Sequence, residues 1–204
     1  MIAILHYGLG NIKAFANIYH EANIPFRVVE TVEDLCGATK IILPGVGSFD
    51  HAIRQFRNSG MAERVEELVL GDLIPVLGVC VGMQMLARSS EEGSEEGLGW
   101  IPGVVRKIRF DDTNARKLLP HMGWNTIETD DREPLLAGLD PDAGFYFLHS
   151  YRFECDSEAN AIAHADYGGN FACIVRKKNV YGVQCHPEKS HQNGVRLLKN
   201  FAEF

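Results

Sequence analysis

Residues 74–84 read Ile74-Pro75-Val76-Leu77-Gly78-Val79-Cys80-Val81-Gly82-Met83-Gln84, and this stretch decides the fold. Its first half is apolar, with the β-branched content of a buried strand. Met83 to Ala87 are good helix formers. Cys80 stands at the changeover, flanked by Gly78 and Gly82. A sharp strand-to-helix turn lifts the residue at the bend over the sheet edge. Glycines two positions to either side let neighbouring backbone close in on it. The following helix aims its N-terminus at the sulfur, which favours thiolate over thiol and offers N–H groups to an oxyanion. The same residues also read as a buried cysteine in a core strand, because cysteine is among the most buried residue types. The rest of the chain has to separate the two readings.

Upstream, strand and helix alternate. Met1 to Leu5 predicts a buried strand, and Ile12 to Glu21 a helix with Asn11 as its cap. Gly8 and Gly10 open a dinucleotide-type pattern, but Lys13 occupies its third glycine position, so that reading is set aside. Pro25 to Val29 and Lys40 to Leu43 predict further strands, and Ser48 to Arg57 and Met61 to Leu70 predict helices. The alternation implies an α/β fold: a mainly parallel sheet, flavodoxin-like, with helices on both faces. Glu91 to Gly97 is acidic and punctuated by glycine, and reads as a solvated connection. Beyond it the chain becomes strand-rich. Strands are predicted over Val104 to Phe110, Trp124 to Glu128, Gly144 to Leu148, Ala161 to Ala165, Phe171 to Val175 and Val180 to Gln184. A last helix is expected from His191 to Ala202. There is no internal repeat, and residues 1–204 read as one domain.

Composition narrows the function classes. The 204 residues are 46% hydrophobic and 23% charged, ordinary for a globular chain. A net charge of −7 argues against nucleic acid or an anionic membrane as main partner. No apolar run approaches the ~18–20 residues of a membrane span. Ile2 to Leu5 is too short for a signal-peptide core. Five cysteines without a C-x-x-C pair fit free thiols in a reducing compartment, so cytoplasm is expected. Cys36, Cys155, Cys173 and Cys185 read as packing residues. His20, His51, His149, His164 and His191 show no ligand spacing, so neither a metal nor a cofactor is expected. Trp100 reads as core.

Two further stretches bear on Cys80. In Val180 to Ser190 a strand runs into His186-Pro187-Glu188. Residues two apart in extended backbone share a face, and Pro187 fixes the backbone between them, so imidazole and carboxylate can converge. A nucleophilic cysteine needs a base, and that base needs a group to set its tautomer. Alone, His-Pro-Glu reads as a surface turn. Beside a glycine-flanked cysteine it supplies both missing roles. Pro44-Gly45-Val46-Gly47 ends the third strand, at the same sheet edge, where α/β proteins bind ligands. Its glycines leave N–H groups uncovered for an oxyanion or a carboxylate, although an ordinary turn would look the same.

Gly78 to Gln84 together with His186-Pro187-Glu188 resembles the class I, triad-type glutamine amidotransferases. Tyr7 to Asn11, Leu43 to Phe49, His121-Met122-Gly123-Trp124-Asn125, His149-Ser150-Tyr151 and Gly182 to Ser190 are similar to the branch formed by glutaminase subunits of imidazole glycerol phosphate synthases. The resemblance runs nearly end to end and leaves no separate synthase domain. It implies Cys80 as nucleophile, His186 as base then acid, and Glu188 as its orienting carboxylate. It implies Gly45, Val46, Gly47 and Val81 as the oxyanion region, and Gln84, Ser150 and Tyr151 as the glutamine pocket. It further implies a (β/α)₈-barrel cyclase as partner in a heterodimer, with Tyr7, Asn11, Met122, Trp124 and Lys189 on the contact face. His6, Val81, Met122 and Cys185 depart from the residues usual in that branch, and bear on which synthase is served. Related glutaminase subunits supply ammonia to nucleotide-sugar amidotransferases, an alternative for this chain. A stand-alone elbow-cysteine hydrolase would lack His-Pro-Glu, and a non-catalytic binding module would have no use for a complete triad.

Overall fold

The computed structural model describes residues 1–110, 118–129 and 133–204. The first half alternates as its sequence predicts. β1 (Ile2–Leu5) leads through α1 (Ile12–Glu21) to β2 (Phe26–Val29). β3 (Lys40–Gly45) leads through α2 (Phe49–Asn58) and α3 (Ala62–Glu66) to β4 (Val76–Cys80), and α4 (Val81–Met85) follows directly. β2, β1, β3 and β4 lie side by side and parallel. The step from β1 to β2 runs opposite to the step from β3 to β4. Right-handed crossovers therefore put α1 on one face and α2 with α3 on the other. β1, β3 and β4 are buried throughout while the edge strand β2 is half exposed, as expected of Ile/Leu/Val runs inside a parallel sheet.

The second half extends this sheet and adds a ribbon. Its strands are β5 (Gly103–Lys107), β6 (His121–Asn125), β7 (Glu128–Thr129), β8 (Phe145–His149), β9 (Tyr151–Cys155), β10 (Ala161–Asp166), β11 (Asn170–Lys177) and β12 (Val180–Val183). β12 joins β4 in parallel, and β11, β10 and β7 continue outward antiparallel. β9 pairs with β5 and touches β11. β6 and β8 form a separate two-stranded ribbon. α5 (His191–Glu203) returns to pack beside α1. Among the described residues, most buried apolar side chains, from Ile2 to Phe201, join in a continuous cluster.

Several expectations need correction. The strand expected over Trp124 to Glu128 is two strands, because β6 pairs in the ribbon and β7 with the main sheet. β9 lies outside the expected strands: the chain leaves the ribbon at Ser150 and starts a second ladder at once. The strand expected to reach Phe110 ends at Lys107. The helix expected over Met61 to Leu70 becomes a π-turn at Glu67–Gly71. Asn11 sits at the start of α1 without a side-chain capping bond. Cys36 is exposed, not packed. Trp100 is buried, with its indole N–H donating to Glu66 at 3.3 Å.

The acidic segment is also more than a solvated connection. Asp50, in the first turn of α2, accepts backbone bonds from Ser94 and Glu95 at 3.0 Å each, and these N–H groups hold its carboxyl below the usual range. Glu95 reaches Arg54 and Arg57, and Glu92 accepts the Phe49 N–H at 2.8 Å. The carboxylates sit at the N-terminal end of α2, where unpaired N–H groups and the helix dipole favour them.

Candidate active site

Three strand ends meet at one edge of the sheet. In register, Gly45 of β3 lies opposite Cys80 of β4, and Val183 of β12 lies opposite Val79 on the other side. The Pro44–Gly47 loop and the His186 turn therefore leave the sheet on either flank of Cys80. This is the carboxyl edge of the parallel strands, the usual ligand edge of such sheets.

Cys80 adopts φ 55° and ψ −111°, a conformation that L-residues rarely hold. The glycines around it are there because of space. A Cβ on Gly82 would come 2.0 Å from the Leu43 carbonyl oxygen, and one on Gly78 would come 2.6 Å from the Gly82 carbonyl oxygen. A Cβ on Gly45 would come 2.3 Å from the Gly82 nitrogen. β3, β4 and the start of α4 thus touch backbone to backbone, which fixes the bend. Tyr7 and Gly10 brace the Pro44–Gly47 loop from behind. The Tyr7 hydroxyl donates to the Pro44 carbonyl, and Gly10, at φ 98°, lies where a Cβ would press on Pro44.

His186 lies on the far side of Cys80. Its Nδ1 is 2.9 Å from Glu188 Oε1, and both side chains are almost wholly buried, at 5% and 2% exposure. The turn is tied down: His186 N–H donates to Tyr146, and the Ser190 hydroxyl donates to the His186 carbonyl while accepting from the Tyr146 N–H. Burial opposes the charged imidazole, but hydrogen bonds to Cys80 and Glu188 outweigh it and push His186 up to about 10. At neutral pH this ring therefore holds a proton that it can deliver.

A cavity of about 200 Å³ opens beside the sulfur, lined by Gly47, Cys80, Val81, Gln84, Glu92, Pro120, Leu148, His149, Ser150 and Tyr151. Gln84 donates both amide protons, to the Tyr151 carbonyl at 3.2 Å and to Gln184 Oε1 at 3.0 Å. Gln184, fully buried, places its Nε2 3.9 Å from the Cys80 sulfur. Gln84, Ser150 and Tyr151, expected in the pocket, line it, as do Gly47 and Val81 from the expected oxyanion region. Gly45 and Val46 do not, since Gly45 is sandwiched against α4 and Val46 is 38% exposed. Sequence reasoning passed over Glu92, Gln184 and His149. The signal for Gln184 was its position two residues before His186. Glu92 looked like one of several solvated carboxylates.

Of the expected partner-face residues, Asn11 and Lys189 are exposed, and Met122 and Trp124 are 66% and 53% exposed. Tyr7 is the exception. Its ring is 5% exposed and packs edge-on against Phe56, so it acts from inside, through Pro44.

The family model for glutamine amidotransferase class-I matches residues 7–203. The imidazole glycerol phosphate synthase subunit HisH of Bdellovibrio bacteriovorus is 56% identical, over 100% of both chains. That of Leptospira interrogans is 52% identical over 99% of both. Among solved structures, a glutamine amidotransferase superposes with a TM-score of 0.73 at 20% identity, covering 100% of this chain and 99% of the other. The Thermotoga maritima PurLQS structure gives a TM-score of 0.69 at 17% identity, covering 98% of this chain and 96% of that chain.

Proposed function

This chain belongs to the class I glutamine amidotransferases, and from that premise we infer how it works. It is the glutaminase subunit of an imidazole glycerol phosphate synthase and hydrolyses glutamine to glutamate and ammonia. The whole chain acts as one amidotransferase domain, in the cytoplasm. The observation that carries the catalytic assignment is the meeting of Cys80, the Gly45–Gly47 loop and the His186–Glu188 pair at one sheet edge.

The Cys80 sulfur attacks the side-chain amide carbon of glutamine. The oxyanion is held by N–H groups of Val81, at the start of α4, and of the Gly45–Gly47 loop. His186 protonates the departing nitrogen, ammonia leaves, and water activated by the same ring hydrolyses the γ-glutamyl thioester. Glu188 fixes the ring by accepting from Nδ1, which turns Nε2 toward the sulfur. Gln84, Ser150 and Tyr151 receive the substrate amino acid, and the Glu92 carboxylate suits its α-ammonium group. Ammonia then passes to a (β/α)₈-barrel cyclase docked over the exposed ribbon. There it is consumed to form imidazole glycerol phosphate and aminoimidazole carboxamide ribotide, so the heterodimer has lyase activity.

The test is glutamine hydrolysis by the chain alone, with the cognate cyclase, and with the cyclase plus its ribonucleotide ligand. We expect low turnover alone and strong stimulation in the full complex. Cys80→Ala should abolish hydrolysis in all three without changing the unfolding transition. Hydrolysis surviving in Cys80→Ala removes the nucleophile assignment. Stimulation by a nucleotide-sugar amidotransferase instead of the cyclase reassigns the partner.

A further inference from the structure

Beside the nucleophile stands a buried amide that the reaction above does not use. Gln184 follows β12 directly, two residues before His186, so in extended backbone it shares the face that carries the imidazole. Val183 lies opposite Val79 in the parallel pairing of β12 with β4, which brings Gln184 level with Cys80. Gln184 is fully buried, and its backbone N–H donates to the Cys173 carbonyl at 2.8 Å. Its Oε1 lies 3.0 Å from Gln84 Nε2, and its Nε2 lies 3.9 Å from the Cys80 sulfur.

A chain of two amides fixes which end of Gln184 faces the sulfur. The Tyr151 carbonyl oxygen only accepts, so the Gln84 atom 3.2 Å from it is the NH₂. That same NH₂ lies 3.0 Å from the Gln184 side chain. An amide nitrogen does not accept, so Gln184 turns its oxygen there and its own NH₂ toward Cys80. Among the described residues the sulfur is the acceptor this NH₂ meets, and a buried donor without an acceptor is costly. Bonds to an ionised acceptor are shorter and about twice as strong as neutral ones, so the contact serves the charged nucleophile best. Leu148 offers the opposite contact. Its carbonyl oxygen, 4.0 Å from the sulfur, can only receive a proton from the thiol. The sulfur thus has one neighbour suited to the thiol and two, Gln184 and the hydrogen-bonded His186, suited to the thiolate.

We infer that Gln184 is a further catalytic residue, whose Nε2 donates to the Cys80 thiolate and holds it for attack on the glutamine amide. Gln84 and the Tyr151 carbonyl set the direction of that donation. The inference rests on the glutaminase reading above.

Gln184→Met keeps the length of the side chain and removes both polar ends. In the complex of the full chain with the cyclase and its ribonucleotide ligand, it should lower kcat for glutamine hydrolysis about tenfold or more, while KM stays within about threefold. In the full chain at pH 7, iodoacetamide should alkylate Cys80 about tenfold more slowly than in wild type, as followed by mass mapping. Val183→Ala is the contrast. It removes fully buried packing from the neighbouring position of the same strand and leaves the donor in place. Its alkylation rate should stay within about threefold of wild type. Equal slowing in the two variants, or a raised KM with kcat unchanged in Gln184→Met, would mean that Gln184 only packs, and overturns the proposal. Unchanged alkylation in Gln184→Met overturns it as well. Where Gln184→Met does not fold, the ¹⁵N side-chain amide signal of Gln184 decides the same point: it should shift between the unmutated chain and Cys80→Ala, and an unchanged signal rules out the donation. A wild-type complex that hydrolyses no glutamine would instead sink the glutaminase reading, with the alkylation rates and the amide signal still deciding the contact between Gln184 and the sulfur.

Discussion

At the scale of single residues, His186 and His149 are both buried but opposite in electrostatics. His186 gains the Cys80 and Glu188 hydrogen bonds against the cost of burial and is pushed up to about 10. His149 is dominated by burial and is held down at about 3. The signs of their linkage to stability therefore differ. The raised His186 contributes stability that is complete below about pH 6.5 and is lost as pH climbs toward 10. The lowered His149 contributes stability that is complete above about pH 6.5 and is lost as pH falls toward 3. Denaturant unfolding across pH should show this. The gap between wild type and His186→Ala narrows on the alkaline side, and the gap between wild type and His149→Leu narrows on the acid side. Parallel pH curves for wild type and His186→Ala would show that the ring is not charged in the fold.

The elements β4 and α4 form a site because backbone, not side chains, packs between them. A helix normally gains from replacing glycine by alanine, by about 1 kcal/mol. Gly82 in α4 should do the opposite, because its Cβ would meet the Leu43 carbonyl, which belongs to a buried strand and cannot swing away. Overpacking of this kind costs about 1–3 kcal/mol, so Gly82→Ala should lower Tm by roughly 3–10 °C and should depress glutaminase activity by moving the sulfur. Gly71→Ala is the contrast, since nothing lies within 4 Å of the Cβ it would add. It should leave Tm unchanged or slightly higher. Equal losses in the two variants would mean that the close approach at the elbow is not what holds it.

For the whole molecule, the β6–β8 ribbon divides the inside from the outside. One face carries His121, Phe147 and His149 into the core, and the other presents Met122, Trp124 and Leu148, at 66%, 53% and 37% exposure. Trp124 stacks on His191 with ring centroids 4.9 Å apart, and the Lys189 ammonium lies 5.6 Å from the Tyr146 ring. A contiguous exposed apolar face of this kind marks an interaction surface, and its flat aromatic with a charge at the rim matches where interfaces concentrate their energy. Trp124→Ala should weaken cyclase binding by about thirtyfold or more, the effect of a ~2 kcal/mol anchor, with Tm nearly constant. Leu70→Ala removes a comparably exposed side chain, 49% accessible, near the start of β4. It should leave the affinity unchanged in calorimetric titration. Equal affinity for Trp124→Ala and wild type would take the ribbon out of the interface.

Features that depend on neighbours along the chain are legible in the order of its residues. Runs such as Ile2 to Leu5 and Ile74 to Val79 can only be comfortable inside a parallel sheet. Gly78 and Gly82 announce a backbone crossing at Cys80. His186-Pro187-Glu188 places its ring and carboxylate on one side because two residues of extended chain return to the same face. Features that depend on residues far apart come from packing and register. Register, not composition, sets Gly45 beside Cys80 and brings the β12 end to its other flank. The acidic segment looked solvated because charge alone predicts exposure. Only the arrival of Asp50 and the Phe49 N–H beside it turns Glu92 inward. His121 and His149 are 28 residues apart, with no ligand-like spacing, and their bond exists because β6 and β8 pair antiparallel. Tyr7 was expected outward from its motif and is inward because the hydroxyl finds the Pro44 carbonyl, 37 residues away. Local chemistry is written in the order of the residues, whereas long-range partners are chosen by the packing that makes unpaired polar groups costly inside the fold.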